Sequence, residues 1–271
     1  GEVISHPNPG LVSAIRAALA DPAVGDPERA VSQRAYMKSP MPFRGLSKPE
    51  LTVLLRPLLR DRALAPHTRE EWSDAVRDLI DHATHREEWY AALAVAGHRA
   101  ARPWQDPEAL ALYRHVVSAT CWWDIVDPVA ADFIGPILLA HRPVVTPLIR
   151  ADAVDPHLWV RRTAILAQLK HRAETDVDLL SDVLDANLEG SLHGKDFFIR
   201  KAVGWALRQH ARVDPDWVRA YVDSHGDHLS VYDELRDQWN GSDDKVAGER
   251  PGPEVVAAAI ADAIDDPSTP F

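Results

Sequence analysis

A single cysteine, Cys121, stands in a chain of 271 residues, which excludes a disulfide framework and any cysteine-based zinc cluster and fits a reducing compartment. No apolar run reaches the length of a bilayer span and the N-terminal residues carry no signal-peptide pattern, so no membrane contact is expected and a cytoplasmic protein is. Glycine-rich phosphate loops, a dinucleotide fingerprint and a nucleophile elbow are all missing, which leaves no basis for a nucleotide or other organic cofactor. The pairs His82/His85 and His225/His228 lack a third ligand at a recognised spacing, so no metal is expected. Positive charge is scarce as well: 30 Lys and Arg against 41 Asp and Glu give a net charge of −11, which taken alone speaks against a nucleic-acid partner.

The average hides a segregation. Residues 141–172 carry six bases (Arg142, Arg150, Arg161, Arg162, Lys170 and Arg172) against Asp152 and Asp155. Residues 173–190 then hold six acids and no base, 195–221 hold six bases against three acids, and the last 32 residues hold seven acids and two bases. A basic surface on an acidic molecule is compatible with this layout, as are ordinary solvated helix faces.

Apolar residues recur at three and four positions in segment after segment, with no period-two run in competition, so the chain reads as helix throughout and strands are not expected. Asp-Pro occurs at 21, 26, 106, 127, 155, 214 and 266, and in five cases it directly precedes a helical pattern. Aspartate accepts a bond from the free N–H groups of the first turn, and proline at the first helical position has no N–H to leave unsatisfied. Ser47-Lys48-Pro49-Glu50 adds a capping-box pattern. Between 67 and 224 the predicted helices group in pairs about 35 to 50 residues apart, the spacing of HEAT-like arrays. The expected architecture is an all-α, HEAT-like repeat α-solenoid of stacked antiparallel helix pairs with a concave binding face. Its domain spans 1–240, and 241–271 forms an acidic linker and C-terminal helix or tail.

Three constellations stand out. On the predicted helix 195–212, Phe198, Ile199, Ala202, Val203, Ala206 and Leu207 make the core stripe, while Lys201, Trp205, Arg208 and Arg212 follow one another at steps of four, three and four along another face. An indole between cations suits stacking on a base while gripping phosphate, or insertion into the next repeat with the cations solvated. On 156–171, Arg162 shares an apolar row with Leu158, Ile165 and Leu169 and must therefore meet either a carboxylate of the protein or an anion of a ligand. In Cys121-Trp122-Trp123-Asp124-Ile125-Val126-Asp127-Pro128, Trp123 and Asp127 share a face if the segment is helical, whereas Asp127 before Pro128 is otherwise a natural N-cap.

The segments Ala35-Tyr36-Met37-Lys38, Pro42-Phe43-Arg44-Gly45, Trp122–Asp127, Leu158–Leu166 and Phe197–Arg208 together resemble the AlkD-like DNA alkylation repair proteins, HEAT-like-repeat alkylpurine DNA glycosylases, over about residues 30 to 222. The resemblance implies a DNA glycosylase that hydrolyses the N-glycosidic bond of cationic N3- or N7-alkylated purines in duplex DNA, bulky adducts included, without deep base flipping and without a cofactor. By matching motifs, Asp127 is the counterpart of the catalytic aspartate, Trp123 and Trp205 of its flanking aromatics, and Arg162, or less favourably Arg161, of the arginine on the DNA backbone. Lys201, Arg208, Arg212, Tyr36 and Lys38 are then expected on the DNA-binding surface. The implied partner is double-stranded DNA containing alkylated purines, bound by a monomer that is nucleoid-associated when on DNA. The competing expectation is a non-catalytic HEAT-like scaffold for a protein or DNA partner.

Overall fold

The computed structural model describes residues 10–226. The predicted helix at 228–239, the tail and the boundary at 240/241 lie outside the described residues. All regular structure among them is helical, as the 3.6-residue periodicity requires, and the described chain divides between Cys121 and Trp122 into two units.

The first unit contains α1 (Leu11–Leu19), α2 (Pro27–Tyr36), α3 (Lys48–Arg60), α4 (Arg69–Asp81), α5 (Arg86–Ala96) and α6 (Leu110–Thr120). The starts at Asp26 and Ser47 are set by residues that read as caps, and α4 has a further cap in Thr68. Asp26 accepts from the N–H groups of Glu28 and Arg29, Ser47 and Glu50 complete a capping box, and Thr68 accepts from Glu71. Helices α4 and α5 form a hairpin, and α6 packs on α4. Their interface holds the fully buried Trp72, whose indole N–H donates to the Val95 carbonyl at 3.0 Å and whose ring meets Trp104 and Tyr113.

The second unit contains α7 (Trp123–Pro128), α8 (Gly135–Ala140), α9 (Arg142–Asp152), α10 (Leu158–Leu166), α11 (Val177–Asp185), α12 (Phe197–Ala211) and α13 (Pro215–His225). Helix α10 is its axis: every residue from Trp159 to Leu166 is buried, because α7, α9, α11 and α12 all pack on it. Among the described residues the fold is thus all-α, as expected, and within each unit neighbouring helices pack on one another in the manner of a solenoid-like fold.

One boundary differs from the sequence reading in a way that positions the site. The helix that Asp127 before Pro128 would cap starts at Trp123 instead, so Asp127 lies inside α7; Trp122, in an extended conformation, precedes the helix and its carbonyl accepts from Ile125 and Val126. Pro128 therefore falls beyond the first turn, where its missing N–H interrupts the ladder, and the chain continues through a wider π-type turn over Val129–Ile134 before α8. Gly135 closes this segment onto the end of α10. A Cβ there would stand 2.5 Å from the Ala167 carbonyl oxygen, so only glycine permits the approach, and the buried His171 ring holds the Gly135 carbonyl at 2.7 Å.

Candidate active site

The site assembles from α7, α10 and the start of α12, all in the second unit. Arg162 projects from α10 and meets Asp127 of α7 through both carboxylate oxygens: Nε donates to Oδ1 at 2.8 Å and the second guanidinium nitrogen to Oδ2 at 2.9 Å. The third nitrogen donates to the Phe198 carbonyl at the start of α12, an acceptor of the first turn whose side chain also flanks the guanidinium, 5.8 Å from ring centre to Cζ. The pair is largely dry, with the Arg162 side chain 6% and the Asp127 side chain 11% exposed. Two N–H donors on two oxygens is the geometry of an ionised carboxylate held by a fork. Burial pushes the Asp127 carboxyl above its ordinary range and nearby Asp124 adds to this, while Arg162 pulls it back.

Beside the pair, reached through Phe198, lies an aromatic cluster. The rings of Trp122, Trp159 and Phe198 stand 4.8 to 6.0 Å apart, centre to centre. Phe198 in turn meets Phe197 edge to face at 5.2 Å, and Phe197 is half exposed with the Lys201 ammonium 5.5 Å from its ring centre. A chain of electron-rich faces therefore runs from the surface of α12 to the buried ion pair. The Trp122 indole N–H is buried and has no acceptor among the described residues, a donor left open by them.

Of the residues singled out in the sequence, Asp127 and Arg162 meet directly. The anion that Arg162 requires is thus a carboxylate of the protein. Its guanidinium is spent on Asp127 and Phe198, so it is not offered to a DNA phosphate in this state. Arg161 is likewise buried and committed: it donates to the carbonyls of Val154 and Asp155 and, at 3.4 Å, to Ala186 and Asn187, stapling the α9–α10 loop to the end of α11. The exposed stripe expected on α12 is only partly exposed. Arg212 faces solvent and Lys201 and Trp205 are half-buried, but Arg208 is 6% exposed, because α12 is covered by both α10 and α13. Trp123 is half-buried at the first position of α7. Tyr36 and Lys38 are exposed in the first unit, Lys38 with a left-handed φ of 50° at the end of α2. Trp122 and Trp159 are members of the site to which the sequence reading gave no role, and Phe198 was read only as part of the core stripe of α12. The doubled tryptophan and the Trp159–Arg162 spacing of three were the available signals.

The basic excess at 141–172 proves to be mostly consumed within the fold. Arg150 pairs with Asp182 at 2.9 Å, Lys170 pairs with Asp132, and Arg142 donates to the Glu174 carbonyl. Among the described residues no cluster of three His, Cys, Asp or Glu is placed to hold a metal, and no helix is long and apolar enough to cross a membrane.

The family model described as DNA alkylation repair enzyme matches residues 15–232. The chain belongs to the DNA alkylation repair enzyme family. Among solved structures, one described as a predicted DNA alkylation repair enzyme from Enterococcus faecalis is similar, at 28% identity and a TM-score of 0.62 over 74% of this chain and 89% of that one. No curated protein matches the chain. Membership in a DNA alkylation repair family places the buried acid, its arginine and the surrounding rings in a protein whose work is on damaged DNA.

Proposed function

We propose that the protein is a DNA N-glycosylase that releases cationic N3- or N7-alkylated purines, bulky adducts included, from duplex DNA. The observation that carries this reading is the nearly dry Asp127 carboxylate, held through both oxygens by Arg162 beside the Phe198 ring, which packs on Trp122 and Trp159.

The chemistry asks for little more. Alkylation at N3 or N7 makes the purine a cation and hence a good leaving group, so the C1′–N bond breaks with its electron pair departing on the base, which becomes neutral. Positive charge then develops on the deoxyribose. A carboxylate beside C1′ stabilises that charge electrostatically, and does so strongly in a low-dielectric site; water adds to C1′ and gives up its proton to the same carboxylate, which returns it to solvent. Tryptophan and phenylalanine faces contribute about 0.5 to 2 kcal/mol each toward a neighbouring cation. Arg162 acts here as the positioning group. It keeps Asp127 ionised and oriented, and a cationic substrate would compete with it for the carboxylate oxygens. Trp123 and Trp205 remain the proposed flanking aromatics. Arg212, Lys201, Tyr36 and Lys38 are the exposed or half-exposed groups proposed for backbone contact, with Arg161, Arg162 and Arg208 acting from inside the fold. Because so much of the local basic charge is paired internally, few phosphates can be neutralised, and DNA affinity should be modest with a shallow dependence on salt.

The test is incubation with duplex DNA carrying one 7-methylguanine, scoring abasic sites after alkaline cleavage, with Asp127→Asn as the control. Excision by the native protein and its loss in the variant are expected. Absence of product with that lesion and with a bulky N3-adenine adduct would leave a non-catalytic scaffold.

A further inference from the structure

A second site lies within the second unit, on the same helices as the ion pair but toward their C-terminal ends. Ile165 is one turn beyond Arg162 on α10, and Ala206 is next to Trp205 on α12. There the ends of α10 and α12 and the body of α11 enclose a cavity of about 290 Å³, far more than one water needs and near the lower end of small-molecule pockets. Leu169, Leu180 and Val213 supply apolar wall, and Arg172, Arg212 and His210 supply the polar groups.

Three observations make this a built site. His210 is 7% exposed, yet neither of its ring nitrogens has a hydrogen-bond partner among the described residues. Among the described residues its ring neighbour is Trp217, which meets it edge to face at 5.3 Å. A buried imidazole with both nitrogens idle is costly unless something beyond the described residues satisfies it. Second, Arg172 and Arg212 each line the cavity without meeting an acid among the described residues, whereas Arg150 and Lys170 nearby are both paired. Third, Arg172 sits at φ 53° in the left-handed region, a conformation that a non-glycine residue adopts at some expense. Burial pushes the His210 ring below its usual range, with Asp214 pulling it back, so near neutrality it offers one donor and one acceptor.

We infer that this cavity binds a small phosphate monoester, its anion between Arg172 and Arg212, its ester oxygens within reach of His210 and its organic part against Leu169, Leu180 and Val213. Two unpaired guanidinium groups match a group carrying close to two negative charges at neutral pH, whereas a carboxylate would leave one of them uncompensated. The phosphate could come from a free mononucleotide or from the 5′ end of a broken strand, and both present the same monoester.

The experiment is calorimetry on the full chain with inorganic phosphate, deoxyadenosine monophosphate and a short oligonucleotide carrying either a 5′-phosphate or a 5′-hydroxyl. Saturable binding of the nucleotide near one per chain is expected, weakened at least tenfold by Arg172→Ser and by His210→Phe. His210→Phe keeps the ring volume and removes both nitrogens, and a circular dichroism melt confirms that it folds. Arg172→Ser should leave 7-methylguanine excision unchanged. Tighter binding of the 5′-phosphorylated than of the 5′-hydroxyl oligonucleotide would identify the strand end as a source. Equal binding of the two, with the free nucleotide still bound, would identify the mononucleotide. No saturable binding of phosphate or nucleotide, or binding that both substitutions leave intact, overturns the inference.

Discussion

Each unit buries a carboxylate against an arginine, and the two carboxylates respond in opposite directions. Glu88, in the first unit, is 2% exposed, and burial is the largest single influence on it, pushing its carboxyl up. It nevertheless ends below its ordinary range, because Arg16 donates to it at 2.8 Å, the backbone N–H groups of Thr84 and His85 at 2.6 and 2.9 Å, and the Thr84 hydroxyl at 3.1 Å. Asp127, in the second unit, has one hydrogen-bonding partner among the described residues, the Arg162 fork, and ends above its range. The difference lies in the number and kind of donors. Backbone N–H groups cannot be withdrawn without unfolding the turn, so Glu88 is fixed as part of the fold. A single side-chain fork can be exchanged for another cation, and in a site lined by aromatic rings that leaves Asp127 poised for a cationic substrate.

The largest effect that tests this contrast is at Asp127. Asp127→Asn should lower single-turnover excision by about 100- to 1000-fold, the range seen when one preorganised electrostatic group is removed. It should also destabilise, because it strands the Arg162 guanidinium; breaking a buried pair from one side costs about 3 to 5 kcal/mol. Urea denaturation measures the second effect separately. The double variant Asp127→Leu with Arg162→Met separates the two roles further. An apolar pair of similar volume should restore much of the stability and none of the activity. If that variant excised 7-methylguanine at the native rate, Asp127 would be a structural acid like Glu88.

Glu88→Ala is the counterpart. It removes the acceptor for Arg16 and for two backbone N–H groups, and a loss of about 2 to 3 kcal/mol in unfolding free energy is expected. At a temperature where the variant is folded, its excision rate should match the native rate. A loss of rate comparable to that of Asp127→Asn would erase the distinction between the two acids.

How far the sequence revealed this contrast depends on the range of the interaction. The helix starts at Asp26, Ser47 and Asp214 were legible because these residues act on N–H groups two or three residues away. Position 162 was legible as needing an anion, since an arginine in an apolar row is otherwise untenable. Which anion was not, because Asp127 lies 35 residues back and only the packing of α7 on α10 brings it there. Asp127 before Pro128 also has the local signature of a cap, and the π-type turn that carries the helix through that proline leaves no simple periodic mark. Arg208 misleads for a related reason. The spacing of Lys201, Trp205, Arg208 and Arg212 places them on one line of α12, but a single helix cannot reveal that α10 and α13 cover part of that line.

A smaller effect is expected at Gly135. A methyl group there would fall 2.5 Å from the Ala167 carbonyl, a backbone atom that cannot swing aside. Gly135→Ala should therefore cost about 1 to 3 kcal/mol of stability by overpacking. It should also shift the π-type turn relative to α10 and lower excision several-fold, since the Asp127–Arg162 geometry depends on that approach. The same kinetic assay run on Glu88→Ala provides the baseline for a purely structural loss.

The smallest effect, and the one that discriminates most finely, is in pH. Catalysis needs Asp127 ionised, so the acid limb of excision should fall as pH drops through its carboxyl value in the folded protein, which lies above the ordinary aspartate range. Arg162→Met removes the group that pulls the carboxyl down, and the limb should move to higher pH. Glu88→Gln should leave it in place. The stability profiles have opposite signs. Asp127 is harder to ionise folded than unfolded, so between its unfolded and folded values its contribution to stability declines as pH rises. Glu88 is easier to ionise folded, so its contribution is present above the unfolded value and is lost as pH falls through the folded one. Urea midpoints for the native chain, Asp127→Leu/Arg162→Met and Glu88→Gln across the acid range would resolve the two slopes. If removing the Asp127–Arg162 pair and removing the Glu88 charge changed the profile in the same sense, the two acids would not be held in the different ways described.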